Sequence, residues 1–211
     1  MSARGEEADL PDAMTPIVWS VAEPGRLERD LEEVRALVPG VEYVSANDGS
    51  DGALAHHGAC LGVLPMWPFD RLEPGHLTDL LGGSGLGFIL LYPAAYPMVP
   101  PAIHPTNLEP EIIEQTQSRW HVAPGGALCL LQSEGAWLPE ASVAELLLKA
   151  AGWRIEYALM KAGVLTQMTT SGIVSDDSID HLIPQAVESG ATTDSSAVRT
   201  TETIEEGDVS A

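Results

Sequence analysis

Cationic side chains are scarce in this chain: ten lysines and arginines stand against 31 aspartates and glutamates, for a formal net charge of −21. Affinity for a nucleic-acid backbone or an anionic membrane surface rests on cationic neutralisation, so neither is expected as a partner. Cysteine is nearly absent. Two residues, Cys60 and Cys129, cannot build a disulfide framework, and no paired-cysteine spacing suits zinc. The histidines show no HxH or HExxH spacing, and the adjacent His56 and His57 point to opposite faces of an extended chain, so no metal site is expected. No apolar run approaches the ~20 residues of a membrane-spanning helix. The opening "MSARGEEADLPDAM" lacks the apolar core of a secretory signal and is acidic, unlike a transit peptide. These absences predict a cytoplasmic protein in a reducing compartment.

Glycine is present but not in a nucleotide-binding arrangement. The stretch "GGSGLG", Gly82 to Gly87, lacks the lysine of a phosphate loop and leads into the strand-like "GFILLY" instead of a helix, so no cofactor is expected.

What the sequence does contain is an ordinary core, with 45% apolar residues arranged in periodic segments. In "PGRLERDLEEVRALVPG", Leu27, Leu31, Val34 and Val38 form one helical stripe that Pro39-Gly40 ends. "VEYVS", "GACLGVLPMW", "GFILLY" and "PPAIH" read as four strands, and the short connections favour an antiparallel meander. Ser142 followed by Glu145 has the spacing of a capping box. It precedes a helix to about Ala162 whose apolar face carries Val143, Leu146, Leu147, Ala150, Ile155, Ala158 and Leu159. The predicted class is α+β: helix, strand meander, irregular stretch, helix. Residues 1–22 read as a flexible segment, 23–165 as the compact domain, and 166–211 as an acidic, Ser/Thr-rich tail, too poor in apolar surface on average to offset its ordering entropy. Disorder is the better reading, and docking of its short patches "GIV" and "HLIPQAV" on the core or on a partner is the other.

Cys60 lies in a run apolar on both faces, where cysteine acts as a small hydrophobe. Cys129 follows Pro124-Gly125-Gly126, a strong turn signal whose backbone N–H groups are able to face a developing negative charge. The turn also folds His121 back towards Cys129. On spacing alone, a cysteine within "ALCLL" reads as a core residue more often than as a nucleophile.

The stretch as a whole resembles the ubiquitin-conjugating enzyme family. "LLYPAAYPMVPP" matches the family's "FP..YP..PP", with Tyr96-Pro97 and Pro100-Pro101 at the same spacing. Gly126 precedes Cys129 by three residues, and Trp137 and Pro139 follow it by eight and ten, again as in the family. The match covers about residues 24–162 and departs at three places. About eight extra residues fall within "HPTNLEPEIIEQTQS", the His-Pro-Asn motif is replaced by Trp120-His121-Val122, and Leu131 stands where an acid usually follows the cysteine. The family's last two helices are not evident in the tail. These departures resemble a compact, bacterial branch that serves ubiquitin-like modifiers.

The resemblance implies the ubiquitin-conjugating fold and a transferase. Its partners would be an adenylating activating enzyme, a ubiquitin-like modifier and a target protein or ligase. Cys129 would take the modifier as a thioester and pass it to an amine, usually a lysine. His121 falls where the family places its oxyanion-stabilising asparagine. Three roles stay open for it: a ring N–H donor to the oxyanion, a base for the incoming amine, or a residue packed beside Trp120. The helix arginines Arg26, Arg29 and Arg35 would help dock the activating enzyme, or else lie on a solvated face. A catalytically inactive binding or scaffold protein on the same fold is the alternative. A cysteine hydrolase pairing Cys129 with His121 is disfavoured, because papain-like nucleophiles sit at a helix start with the histidine far downstream. Only Lys149 and Lys161 supply lysine, a scarcity that either limits self-modification or reflects a genome-wide preference for other residues.

Overall fold

Pro24 sits at the start of α2 (Pro24–Leu37), where a missing N–H costs nothing, and α1 (Trp19–Ala22) leads into it. The computed structural model describes residues 17–46, 58–131, 134–169 and 172–189. Within them follow β1 (Glu42–Val44), β2 (Ala59–Val63), α3 (Leu77–Leu81), β3 (Gly87–Leu91), β4 (Ala102–Pro105), α4 (Ile112–Gln115) and α5 (Val143–Lys161). Residues 182–189 are helical as well. The four strands form one antiparallel sheet in the order β1-β2-β3-β4, so the α+β meander expected from the sequence is the architecture observed. His56 and His57 lie outside the described residues.

Register fixes which side chains face inwards. Cys60 pairs with Leu90 and Leu90 with Ile103, giving a fully buried row across three strands. Neighbouring Leu61, Ile89 and His104 pair on the opposite, half-buried face. Cys60 is structural, and burial pushes its thiol up to about 11. The α2 stripe packs on this core as expected, with Val34 and Val38 buried and Leu27 and Leu31 partly so.

Three expectations are corrected. Trp19 is buried against the rings of Tyr92 and Tyr96, at centroid separations of 4.7 and 4.6 Å, so the packed unit begins before residue 23. Ser142 does not close a capping box. Its hydroxyl donates instead to Glu33 Oε2 at 2.7 Å, tying the start of α5 to α2.

The third correction is the largest. The chain past α5 was expected to be disordered from residue 166, yet its described part, through residue 189, packs on the domain. Met168 joins the sheet-side core, while Ile173, Ile179, Ile183 and Ala186 build a second core with Leu77 and Leu81 of α3 and Ile155 and Leu159 of α5. α5 is therefore covered on both sides, which explains why it is apolar almost all round. Gly152 permits the close approach: a Cβ there would meet Ile173 Cγ2 at 3.0 Å and Val174 Cγ2 at 3.1 Å. Arg71 clamps the segment from outside, donating to the carbonyls of Ile173 and Val174 and pairing with Asp180 at 3.3 Å.

Among the described residues no helix is long and apolar enough to cross a membrane, and no group of three or more His, Cys, Asp or Glu is placed to hold a metal ion.

Candidate active site

The turn before Cys129 closes a small hairpin. Gly125 and Gly126 take φ of 92° and 84°, values that strain any residue with a Cβ. The hairpin is held by the Ala123 N–H on the Ala127 carbonyl at 2.8 Å, a Val122–Leu128 bridge, and the Cys129 N–H on the His121 carbonyl at 2.8 Å. Leu128 N–H donates to the Ile103 carbonyl at 2.9 Å, which fastens the hairpin to β4. His121 thus stands across from Cys129, as the turn predicts. Its own φ of 49° is left-handed, a conformation rare outside glycine. Among the described residues no hydrogen bond joins the His121 ring to the Cys129 thiol.

The turn amides do not play their expected part. Gly125 N–H donates to Gln115 Oε1 at 3.1 Å and Gly126 N–H to the Ala123 carbonyl at 3.0 Å, so neither is left for an oxyanion. Gln115 belongs to the residues between β4 and the hairpin. These fold into α4 with a Glu111–Glu114 capping box, in which Glu111 N–H donates to Glu114 Oε2 at 2.7 Å. Lys161 at the end of α5 pairs with Glu111 and Glu114 at 2.7 and 2.9 Å, and Tyr157 donates to Glu114 at 2.8 Å. Burial opposes the Glu114 charge, but these hydrogen bonds outweigh it and hold the carboxyl below its ordinary value.

On the other flank of Cys129, Trp137 Nε1 donates to the Pro97 carbonyl at 2.8 Å, and the Tyr96–Pro97 peptide is cis. Arg26 donates to the Pro139 carbonyl and, at 2.7 Å, to the Ala141 carbonyl, while pairing with buried Asp30 at 2.7 Å. The Tyr-Pro and Trp-x-Pro segments are therefore locked together by α2. Arg26 and Arg29 turn inwards for this purpose, since Arg29 also reaches the Glu140 and Ala141 carbonyls. Arg35 alone of the three is exposed and makes no hydrogen bond or ion pair among the described residues.

Cys129 itself is exposed, whereas Cys60 is buried. It opens onto a cleft of about 670 Å³ that His121 also lines. Leu130 and Leu131 continue the hairpin wall. Lys149, Trp153 and Glu156, spaced by four and three on α5, present one helical face as the floor. The opposite wall is Met168, Thr169, Gly172, Val174 and Ser175, from the segment expected to be disordered. Glu156 holds that wall in place. Its buried carboxylate accepts from Thr169 N–H at 2.6 Å, the Thr169 hydroxyl at 2.9 Å and Ile173 N–H at 3.0 Å. Sequence reasoning missed this residue, although a glutamate within "GWRIEYALM" was a readable sign of a buried acceptor awaiting donors.

No family model matches the chain, and no curated protein matches it either.

Although exposed, Cys129 has protein packed behind it, and that partial burial pushes its thiol above the ordinary value. Among the described residues no cationic group lowers it again. A thiol of this kind is mostly protonated at neutral pH and is not primed to attack an unactivated amide. Alkylation of Cys129 by iodoacetamide, followed by intact mass, is therefore expected to keep accelerating above pH 9 with a single modification, Cys60 remaining unlabelled until the protein unfolds. A rate that levels off near neutrality would show a stabilised thiolate instead.

Proposed function

We propose that this protein is a ubiquitin-conjugating-like enzyme, taking a ubiquitin-like modifier from an activating enzyme as a thioester on Cys129 and transferring it to an amine. The observation that carries the reading is the presentation of Cys129: an exposed sulfur at the edge of a cleft, on a hairpin fastened to β4 and flanked by Tyr-Pro and Trp-x-Pro segments locked to α2. The element order, a helix, a four-stranded meander, an irregular active-site segment and a long helix, supports a ubiquitin-conjugating-like fold.

The thiol's chemistry suits the role. Transthiolation starts from an acyl group that is already activated, so Cys129 needs only its minor thiolate fraction to attack. The C–S bond to the activating enzyme breaks as the new one forms, and no net proton change is required. His121 faces Cys129 across the hairpin and is the residue best placed to donate to the tetrahedral oxyanion, since the nearby turn amides are already engaged.

Incubation with a modifier, its activating enzyme and ATP tests the reading. The expected product is a covalent adduct that reducing thiols remove and that Cys129→Ala does not form. His121→Ala is expected to slow its discharge to an amine by about 10²-fold, the size of a lost oxyanion donor. The second reading, an inactive binding protein, is favoured by the missing His-Pro-Asn motif and the absence of a His121–Cys129 hydrogen bond. It predicts a noncovalent complex and no adduct.

A further inference from the structure

Lys149 shares the cleft with Cys129, and its circumstances differ sharply from those of the chain's other lysine. Lys161 is held by two carboxylates at 2.7 and 2.9 Å, and these hydrogen bonds, Glu111's first, raise its pKa. Its ammonium is thus stabilised against losing the proton that nucleophilic attack requires. Lys149 is exposed and makes no ion pair or hydrogen bond among the described residues. Glu156, the one carboxylate among the described residues that line the cleft, has its oxygens occupied by Thr169 and Ile173. Among the described residues that line the cleft, no free carboxylate is left to draw in a foreign lysine ammonium, and the Lys149 charge repels one. The amine already in place has the advantage of position.

We infer that Lys149 is a self-modification site, accepting the acyl group carried on Cys129 within the same molecule. This rests on the thioester reading above. The Nζ lone pair attacks the thioester carbonyl, a C–N bond forms, the C–S bond breaks, and Cys129 leaves as thiolate and takes up the proton the amine releases. The products are an isopeptide-linked Lys149 and a free Cys129 thiol, with no oxidant or reductant consumed. The result is a cleft with its floor occupied by the modifier, and the transfer cannot be reversed by exchange with thiols.

The test uses the full chain and a short peptide α-thioester of mercaptoethanesulfonate ending in glycine, which loads Cys129 by thiol exchange without an activating enzyme. Intact mass is followed with and without a reducing-thiol quench. A thiol-sensitive adduct is expected first, converting to a thiol-resistant adduct of the same mass that tryptic mapping places on Lys149. Its first-order rate constant is expected to be independent of protein concentration. Lys149→Arg, which keeps the charge, is expected to lower the ratio of resistant to sensitive adduct by at least about ten-fold, because the positioned amine is gone. Cys129→Ala is expected to form neither.

Several results would overturn the inference while leaving the thioester reading intact: a sensitive adduct that only hydrolyses, a resistant one mapped to Lys161 or the N-terminus, or a conversion rate that grows with protein concentration. Equal acylation of Lys149 in Cys129→Ala would also overturn it, since the acyl group would then come directly from solution. Failure of the sensitive adduct to form removes both.

Discussion

Replacing Ile173 or Ile183 with alanine is expected to cost about 2–5 kcal/mol of folding stability each, the range for emptying a fully buried aliphatic site. Both side chains are completely buried and both stand in the second core, against Leu77 and Leu81 on α3 and Ile155 and Leu159 on α5. Each truncation removes methyl and methylene carbons from contact with groups that α5 and α3 hold rigidly, so collapse around the void is limited. Urea denaturation followed by tryptophan fluorescence measures the loss. Ile17→Ala serves as the control, since Ile17 is 80% exposed and its truncation should stay within about 0.5 kcal/mol of the parent. If Ile173→Ala and Ile183→Ala behave like that control, residues 172–189 are not part of the cooperative unit, and the second wall of the Cys129 cleft loses its support.

Composition alone pointed the other way for that segment, and the reason is physical. Ser, Thr, Asp and Glu dominate the average over residues 166–211, but burial is decided by individual positions. Ile179, Ile183 and Ala186 recur at spacings of four and three, one helical stripe inside a polar stretch. The complementary signal lay in α5, where Ile155 and Leu159 fall outside the side that covers the sheet and so demand a cover of their own. Reading the two stripes together would have found the contact; reading the tail by its average could not.

Elements set by local periodicity were legible: the Leu27–Val38 stripe, the four strands, and the Gly-Gly turn that sets Cys129 opposite His121. Features decided by distant partners were not. Ser142 has the capping-box spacing, but Glu33 on α2 captures its hydroxyl. Glu111 caps α4 without belonging to the residue types that usually do so. The Gly125 and Gly126 amides looked available because Gln115, which engages the first, lies ten residues earlier in the chain, before the hairpin. Arg26 and Arg29 read as part of a solvated mixture of charges, yet Arg26 is nearly buried against Asp30 and lies 4.8 Å from the Tyr96 ring centroid.

That last arrangement yields the second large effect. Asp30→Ala is expected to destabilise the fold by about 3–5 kcal/mol, because it leaves the buried Arg26 guanidinium without its counter-ion. It also orphans the Tyr96 hydroxyl, which donates to Asp30. Since Arg26 holds the Pro139 and Ala141 carbonyls, the damage is expected to reach the Trp137 side of the Cys129 segment, visible as faster Cys129 alkylation below the denaturation midpoint. Asp30→Asn keeps an acceptor of nearly the same shape and is expected to cost less. The two substitutions also differ in what pH reveals. Burial pushes the Asp30 carboxyl above its ordinary value of 3.8, against the Tyr96 hydrogen bond and the Arg26 and Arg29 charges. A raised folded-state value favours folding most where the carboxyl is protonated in both states, and that contribution fades as pH rises through the folded value. The replacement amide does not titrate, so the stability deficit of Asp30→Asn relative to the native chain is expected to shrink over the interval above the ordinary value of 3.8, as pH rises through the folded value. A deficit that instead grows over that interval would mean that the Arg26 pair overcomes burial and holds the carboxylate below its ordinary range.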